Sequence, residues 1–401
     1  MEPKIRLKGF SGEWETCTIN DICEVNPKST LPDVFEYVDL ESVVGTEMIS
    51  HRTEKRETAP SRAQRLAKKW DIFYQTVRPY QKNNYLFDRD EINYVFSTGY
   101  AQLRTKINQG YLFTLIQSPS FVNKVLLECT GTSYPAINPT NLSKIKIEII
   151  NNKDFQHTIA SFFQYLDSLI QSTTKKIESL KQVKAASLQS MFPQEGETTP
   201  RVRFKGFEGE WIKIKFAAFA EINRGLTYTP NNIVENGVRV LRSSNIDEDV
   251  FTISNEDVFV TPNCVNICYA KDGDILVTAA NGSPRLVGKH AIIRNTGSIP
   301  VVAGGFMYLV TSQESEFLNA SMSSNWYWSF IKIGVAGGNG SIGNLNRNDL
   351  EETVFPIPSL KEERDMIASY FTSLDSQITL QTQHLEKLKQ IKSACLENMF
   401  V

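Results

Sequence analysis

The first half of the chain contains a run of basic side chains that could contact the phosphates of a nucleic acid. Only Glu54 and Glu57 offset the run within the same stretch. Lysine and arginine neutralise phosphates and supply most of the sequence-independent part of nucleic-acid affinity. The alternative is ordinary solvated surface, where charged residues commonly lie. The basic residues are Arg52, Lys55, Arg56, Arg62, Arg65, Lys68 and Lys69.

A polar turn over residues 76–83 follows this run, after a predicted strand. Its hydrogen-bond donors could reach phosphates, which position a protein on DNA, or base edges, where the sequence is read. Residues 278–289 form the corresponding polar loop in the second half of the chain, with a different sequence. The candidates in these two loops are Arg78, Tyr80, Gln81, Lys82, Asn281, Arg285 and Lys289.

Two further polar stretches are weaker candidates for binding. The first contains Arg242, Ser243 and Asn245. The second is a glycine-rich stretch over residues 337–344, which includes Asn339 and roughly matches residues 131–138 in the first half. Backbone amides in such a stretch could approach phosphates. A plain turn is an equal alternative.

No catalytic or metal-binding motif accompanies these residues. Neither Asn-Pro pair continues into the Asn-Pro-Pro-aromatic motif of a methyltransferase, and no Asp/Glu-x-Lys follows Pro32-Asp33, as a nuclease would need. A phosphate-binding G-x4-G-K-[ST] sequence is also missing. Cys264 and Cys268 lack the further ligands of a zinc site. An enzyme with a degenerate motif is therefore the less favoured alternative.

Composition and charge exclude several other classes of protein. The chain has 401 residues, of which 41% are hydrophobic, and this length predicts two or three domains. A net charge of −2 excludes a strongly basic chain, so nucleic-acid binding must come from local patches or a partner. We expect no signal peptide and no membrane helix, since no apolar run approaches about 18 residues. Six scattered cysteines then indicate reduced thiols and a cytoplasmic location.

Two internal repeats frame the candidate loops. Residues 3–14 recur as residues 200–211, and residues 155–192 align without gaps on residues 363–400. The second alignment contains 18 identities in 38 positions. Between the repeats the two halves differ, and both read as mixed α/β regions with short β-rich runs. Repeats around unlike regions indicate a constant frame that carries two different readers.

The longer repeat predicts a long helix in each half of the chain. Its apolar residues follow the 4-3-4-3 spacing of a heptad seam, and neither copy contains proline or glycine. We expect the two helices to pack on each other in antiparallel fashion. The alternative is that each helix packs only on its own domain. The seam residues are Ile159, Phe163, Leu166, Ile170, Ile177 and Leu180 in the first helix, and Ile367, Phe371, Leu374, Ile378, Leu385 and Leu388 in the second.

These shared segments carry a family resemblance. The chain resembles a DNA specificity subunit of a type I restriction–modification system. The resemblance lies in Ile-Ala-Ser-Phe-Phe through Leu-Gln-Ser-Met-Phe at residues 159–192, in its copy at 367–400, and in the two Lys-Gly-Phe-x-Gly-Glu-Trp starts. Ser97-Thr-Gly99 and an Asn-x-x-x-Leu before each helix also fit. The repeated arrangement is specific and covers essentially the whole chain.

The resemblance implies an α+β fold with a pseudo-twofold internal repeat. Two α/β target recognition domains would be separated by two long antiparallel coiled-coil helices, and each domain would read one half of a bipartite DNA target. The predicted domains cover residues 1–152 and 200–358. The predicted spacer helices cover residues 153–193 and 359–401, with a linker over 194–199.

The resemblance also implies that this chain is not an enzyme. Its partners would be double-stranded DNA, two methyltransferase subunits docked by the helices, and restriction or translocase subunits. The chain itself would bind no cofactor, because S-adenosylmethionine, ATP and Mg would be bound in the partner subunits. A coiled-coil scaffold that binds only proteins remains the other alternative. A scaffold that binds only proteins, however, has no evident use for two recognition regions that differ from each other in sequence.

Overall fold

The computed structural model divides the chain into two units. Unit 1 consists of residues 1–174 and 383–401, and unit 2 consists of residues 175–382. The structure describes residues 3–6, 13–335 and 343–400. Gly9, Phe10 and Gly12 of the first repeated start, and the candidate Asn339, lie outside the described residues. The predicted domain boundaries stay a prediction, since each unit takes part of both long helices.

Unit 1 combines short strands with short helices before its first long helix. Its strands are β1 (Glu15–Thr18), β2 (Cys23–Val25), β3 (Val34–Val38), β4 (Val43–Val44), β5 (Glu47–Met48), β6 (Arg52–Lys55), β7 (Ala63–Leu66), β8 (Ile72–Gln75), β9 (Tyr85–Leu86), β10 (Tyr94–Ser97), β11 (Tyr100–Thr105) and β12 (Lys146–Ile149). Its short helices are α1 (Ile19–Ile22), α2 (Gln109–Leu115), α3 (Pro119–Leu127) and α4 (Pro139–Lys144). The long helix α5 (Lys153–Met191) begins in unit 1, where the Asn152 side chain accepts a hydrogen bond from the Phe155 amide.

Unit 2 has a similar but not identical order of short strands and helices. Its strands are β13 (Ile212–Lys215), β14 (Glu221–Arg224), β15 (Ile233–Val234), β16 (Val238–Leu241), β17 (Ile246–Asp247), β18 (Val250–Phe251), β19 (Val258–Val260), β20 (Ile275–Thr278), β21 (Ala280–Asn281), β22 (His290–Ile292), β23 (Val301–Ala303), β24 (Met307–Thr311), β25 (Gly343–Asn344) and β26 (Val354–Ile357). Its helices are α6 (Ser315–Met322), α7 (Asn325–Val335) and α8 (Arg347–Glu352), followed by the start of the long helix α9 (Lys361–Asn398).

Each unit contains two four-stranded sheets. The sheets that contain β8 and β20 have matching strand orders, whereas the parallel pair lies at the centre of the other sheet in unit 1 and at its edge in unit 2. In unit 1 the orders are β6-β3-β10-β7 and β2-β11-β8-β9. In unit 2 they are β15-β19-β16-β23 and β14-β24-β20-β22. One parallel pair occurs in each unit, β3 with β10 and β16 with β23, among otherwise antiparallel pairs of these sheets. The mixed α/β expectation for both halves is confirmed.

The central strands are apolar on both faces because both faces are covered. Along β8, Ile72 and Tyr74 join the cluster that contains the long helices, and Phe73 points to the opposite cluster. Phe73 stacks there on Phe96 of the other sheet, with ring centroids 3.6 Å apart. Alternate strand residues point to opposite faces. A strand covered on both sides therefore reads as a continuous apolar run.

In unit 1 the start of α5 packs against the end of α9. Phe163 and Phe400 lie with their ring centroids 6.2 Å apart. Asp167 forms an ion pair with Lys392. Because residues early in α5 meet Lys392 near the end of α9 and Phe400 just beyond it, these segments run antiparallel. Leu166 and Leu388 share the same buried cluster.

Unit 2 contains the same contacts with the two helices exchanged. Phe371 and Phe192 have ring centroids 5.8 Å apart, and Lys184 pairs with Asp375 at 2.7 Å. The repeat aligns each of these residues with its counterpart in unit 1. The antiparallel arrangement predicted from the heptads is therefore confirmed. The alternative also holds in part, because the seam residue Ile159 packs into the core of its own unit.

The repeated start segment adds a buried ion pair to unit 2. Arg203 donates to both carboxylate oxygens of Glu363, in the first turn of α9, at 2.6 and 2.8 Å. Glu363 is only 1% exposed. Trp211 from the same segment packs edge-on against Phe192. The start segment therefore ties the end of α5 to the beginning of α9. Across the described residues, no helix has the length and apolar character needed to cross a membrane.

Candidate nucleic-acid interface

In each unit, the loop after the central strand meets a polar segment from later in the chain. In unit 1, Val77 pairs with Ala136 and the Arg78 amide donates to the Pro135 carbonyl at 2.8 Å. In unit 2, β21 pairs with β25, the described end of the glycine-rich stretch. The sequence predicted the two polar stretches of each unit separately, and the structure shows that the two stretches pair with each other within each unit.

The polar turn of unit 1 has an uncommon backbone. Residues 79–81 form a short 3-10 turn between Arg78, with a φ of 54°, and Lys82, with a φ of 56°. Residues other than glycine seldom adopt positive φ, and such positions concentrate at binding sites when the surrounding structure holds them. Here the Gln75 side chain donates to Gln81 at 2.9 Å and accepts from the Asn83 amide at 3.1 Å.

The four candidates in this turn face different ways. Gln81 is engaged by Gln75, and the Lys82 ammonium donates to the Gln117 carbonyl at 3.0 Å. Burial, and then the charge of Lys392, lower the pKa of Lys82 from its ordinary value. Tyr80 is exposed. The Arg78 guanidinium lies 4.2 Å from the ring centroid of Tyr134. Tyr134 was not among the candidates predicted from the sequence.

The basic run of unit 1 is partly neutralised. Arg52 pairs with Asp39 at 2.7 Å and Glu54 at 2.9 Å, and Arg56 pairs with Asp33 at 2.7 Å. These contacts favour the solvated-surface interpretation for these two arginines. Lys69 pairs with Asp90 at 2.6 Å. No ion pair is found within the described parts of the chain for the other basic residues of the run, Lys55, Arg62, Arg65 and Lys68. Burial lowers the pKa of Arg65.

Unit 2 has an open cleft of about 610 Å³ where three candidates come together. Arg242, Ser243 and Asn281 line it, and the Asn281 amide donates to the Ser243 hydroxyl at 3.1 Å. Much of the remaining lining is apolar or aromatic, including Tyr228 and Phe306. Phe306 is 67% exposed. Such surfaces can stack on bases or contact the methyl group of thymine.

The other candidates of unit 2 do not line this cleft. Asn245 is fully buried, and its amide donates to Asp257 at 2.8 Å and to the Thr252 carbonyl at 3.0 Å. Its carbonyl accepts from the Arg242 amide at 2.8 Å, so the side chain holds the loop together instead of facing solvent. Arg285 is exposed on a neighbouring 3-10 turn, and Lys289 precedes β22.

The aromatic residues Tyr134, Tyr228 and Phe306 were missed by the sequence reasoning. Each lies beside a candidate polar side chain in the fold. The available signal was an aromatic residue inside a glycine- or proline-containing polar stretch, such as Tyr134 between Gly131 and Pro135. That signal alone does not separate an exposed aromatic from a core aromatic.

The comparisons with known proteins cover most of the chain. The profile of the family described as "Type I restriction modification DNA specificity domain" matches residues 11–182 and again residues 208–390. The chain is similar to the Type I restriction enzyme HindI specificity subunit of Haemophilus influenzae, with 25% identity over 190 residues, 45% of this chain and 41% of that protein. The aligned part thus spans less than half of the HindI subunit.

A second relative aligns over a longer stretch. The Type I restriction enzyme MjaVIII specificity subunit of Methanocaldococcus jannaschii is 22% identical over 297 residues, 70% of this chain and 67% of that protein.

Two solved structures share the fold. A type I restriction–modification S subunit from M. genitalium gives a TM-score of 0.68 at 16% identity, covering 100% of this chain and 99% of that one. A chain from a study of assembly and conformational transition of the type I R-M system gives 0.56 at 18% identity, covering 96% and 98%.

Proposed function

The chain belongs to the type I restriction modification DNA specificity family, and on this basis we propose that it is the DNA-reading subunit of a type I restriction–modification complex. Each unit reads one half of a bipartite target in double-stranded DNA. The observation that carries the proposal is the double match of the family profile, once in each half of the chain. Different polar loops occupy corresponding places in the two units, so each unit reads a different half-site.

We place the chemistry in partner subunits. The sequence lacks the motifs of a methyltransferase, a nuclease or an ATPase, whereas recognition needs only a few base-edge contacts, each worth about 1–3 kcal/mol of discrimination. Two methyltransferase subunits dock on the long helices and bind S-adenosylmethionine. Restriction or translocase subunits bind ATP and Mg. The complex works in the cytoplasm, on the DNA of the cell.

The charge of the chain supports this division of labour. A net charge of −2 suits a subunit whose partners supply most of the phosphate contacts. The ion pairs of Arg52 and Arg56 further reduce the positive charge available in unit 1.

The proposal is tested by mapping DNA methylation in the host with and without the gene for this chain. We expect deletion to abolish adenine methylation at one split motif, and we expect a methyltransferase to co-purify with the chain. Methyl transfer or cleavage by the purified chain alone would favour the enzyme alternative. A chain that binds partners but gives no sequence-specific DNA contact would favour the protein-only scaffold.

Lengthening both long helices is expected to lengthen the unread spacer between the half-sites. Seven residues inserted at residue 174 of α5 and at residue 382 of α9 preserve the heptad phase and add about 10.5 Å at 1.5 Å per residue. This equals about three base pairs at 3.4 Å each. The methylated motif should keep both half-sites and gain about three spacer base pairs.

The control is the same insertion in one helix alone, which shifts the seam residues out of register and should abolish methylation. An unchanged spacer in the doubly extended protein contradicts the proposed role of the helices.

A further inference from the structure

We propose that Arg78 and Tyr134 form a guanine-reading site in unit 1. Tyr134 holds the guanidinium by stacking, and Arg78 donates hydrogen bonds to O6 and N7 of one guanine in the half-site that unit 1 reads. The inference deepens the proposed function and rests on it, because it assumes that unit 1 meets DNA through this turn.

The backbone presents Arg78 in a fixed position. Its amide is anchored to the Pro135 carbonyl at 2.8 Å, and Pro79 follows it with a restricted φ. At the far end of the turn, the Asn84 side chain accepts from the Gln75 amide at 2.7 Å and donates to Gln117 at 3.2 Å. A turn held on both sides loses little conformational entropy on binding, which favours a reading residue over a mobile surface charge.

The charge of Arg78 is not neutralised by a carboxylate. No ion pair involves Arg78 anywhere in residues 3–6, 13–335 and 343–400, in contrast to Arg52 and Arg56. Its partner is instead the ring of Tyr134, which is 64% exposed. An arginine that is both unpaired and stacked on an exposed aromatic keeps its charge for a ligand.

The shape of the guanidinium indicates which ligand fits. Stacking covers one flat face of the group, while the N–H donors point outward in its plane and stay available. A fork of two parallel donors matches the O6 and N7 acceptors that guanine presents in the major groove. A phosphate also accepts such a fork, so the test must separate a base contact from a phosphate contact.

At the position that corresponds to Arg78, two residues after the matching threonine, unit 2 has Ala280, and the arginine of this loop, Arg285, lies further along on a 3-10 turn. The loop after β20 carries Asn281, whose amide donates to Ser243 at 3.1 Å and whose carbonyl accepts from the Ser283 amide at 2.9 Å. Both ends of the Asn281 side chain are therefore engaged by other groups of unit 2. We therefore expect this arginine–tyrosine site in the half-site of unit 1 only.

The experiment uses the full chain in complex with its methyltransferase partners. The methylated motif is mapped for the wild type, for Arg78→Lys and Arg78→Gln, and for Tyr134→Leu and Tyr134→Phe. We expect Arg78→Gln to lose the preference for guanine at one position by about 10–100-fold, and Arg78→Lys, which lacks the planar fork of donors, to lose part of it. The other half-site and the spacer should not change. Tyr134→Leu should lose part of the same preference, and Tyr134→Phe should retain it. Arg294→Lys, at an exposed arginine paired with Glu316, is the matched control.

A second measurement changes the DNA and tests the contact in the wild-type complex directly. Replacing each guanine of the half-site in turn with 7-deazaguanine removes the N7 acceptor. One such replacement should weaken binding of the wild type about 10-fold and leave binding of Arg78→Gln nearly unchanged.

Two results would overturn the inference while leaving the proposed function intact. The first is an unchanged motif in the Arg78 variants. The second is uniform weakening at all sequences with a salt slope lower by about one, which indicates a phosphate contact. A wild-type complex that yields no bipartite motif instead overturns the proposed function itself.

Discussion

Replacing Phe400 with alanine is expected to destabilise unit 1 by about 3–5 kcal/mol, the usual cost of deleting a buried aromatic side chain. Phe400 follows the last turn of α9, yet it is buried in unit 1 among residues from the first half of the chain. Its ring lies 6.0 Å from that of Tyr111 and 6.2 Å from that of Phe163, centroid to centroid. Truncation removes these contacts and leaves a cavity.

The matched substitution Phe192→Ala is expected to destabilise unit 2 instead. Phe192 lies just after α5 and packs against Trp211, Phe317 and Phe371. Hydrogen exchange resolved by peptide distinguishes the two outcomes, because each variant should lose protection in the central strands of one unit. Tyr165→Ala, at an exposed position of α5, should have almost no effect. Loss of protection in the same unit for both phenylalanine variants would contradict the exchanged packing.

Replacing Arg203 with methionine is expected to lower the free energy of unfolding of unit 2 by about 3–5 kcal/mol. Glu363 would then be left as a carboxylate in a buried site without its cationic partner. An uncompensated buried charge costs much more than the lost attraction alone, because the carboxylate has also given up its hydration. Chemical denaturation followed by a probe in unit 2 measures the change.

Two controls separate this explanation from a loss of packing. The double variant Arg203→Met with Glu363→Met removes both charges and should recover most of the stability. Lys361→Met breaks the exposed pair with Asp365 in the same turn of α9 and should change the stability far less than Arg203→Met does. If Lys361→Met and Arg203→Met cost the same, burial of the carboxylate is not the cause.

The helices and their pairing could be predicted because their signals are local or repeated. Heptad spacing at positions such as Phe163 and Leu166 reports the buried face of a helix, and the internal repeat indicates that the two helices are equivalent. The role of Phe192 and Phe400, which follow the two long helices, could not be predicted. That Phe400 belongs to the core of unit 1 depends on a contact between residues far apart in sequence.

The candidate interface could be predicted only as a set of loops. Polar stretches after strands indicated Arg78 and Arg242, but the positive φ of Arg78 and its stacking on Tyr134 depend on the three-dimensional path of two segments. For Asn245, the polar stretch predicted an exposed binding residue, whereas the structure shows a buried one. It lies in a polar stretch, yet Asp257 supplies a buried partner for its amide, and no local pattern signals this contact.

Each unit contains the beginning of one long helix and the end of the other, and this arrangement sets the order in which the two units can finish folding during synthesis. Unit 2 is continuous in sequence, whereas the core of unit 1 includes Leu388, Met399 and Phe400. Ribosomes add roughly 5–20 residues per second, so residue 383 emerges roughly 10–40 s after residue 174. During that interval the first half of the nascent chain exposes an apolar surface that only the final helical turns cover. The unit translated first is therefore the unit that folds last, and it is the one with the greater need for chaperone protection.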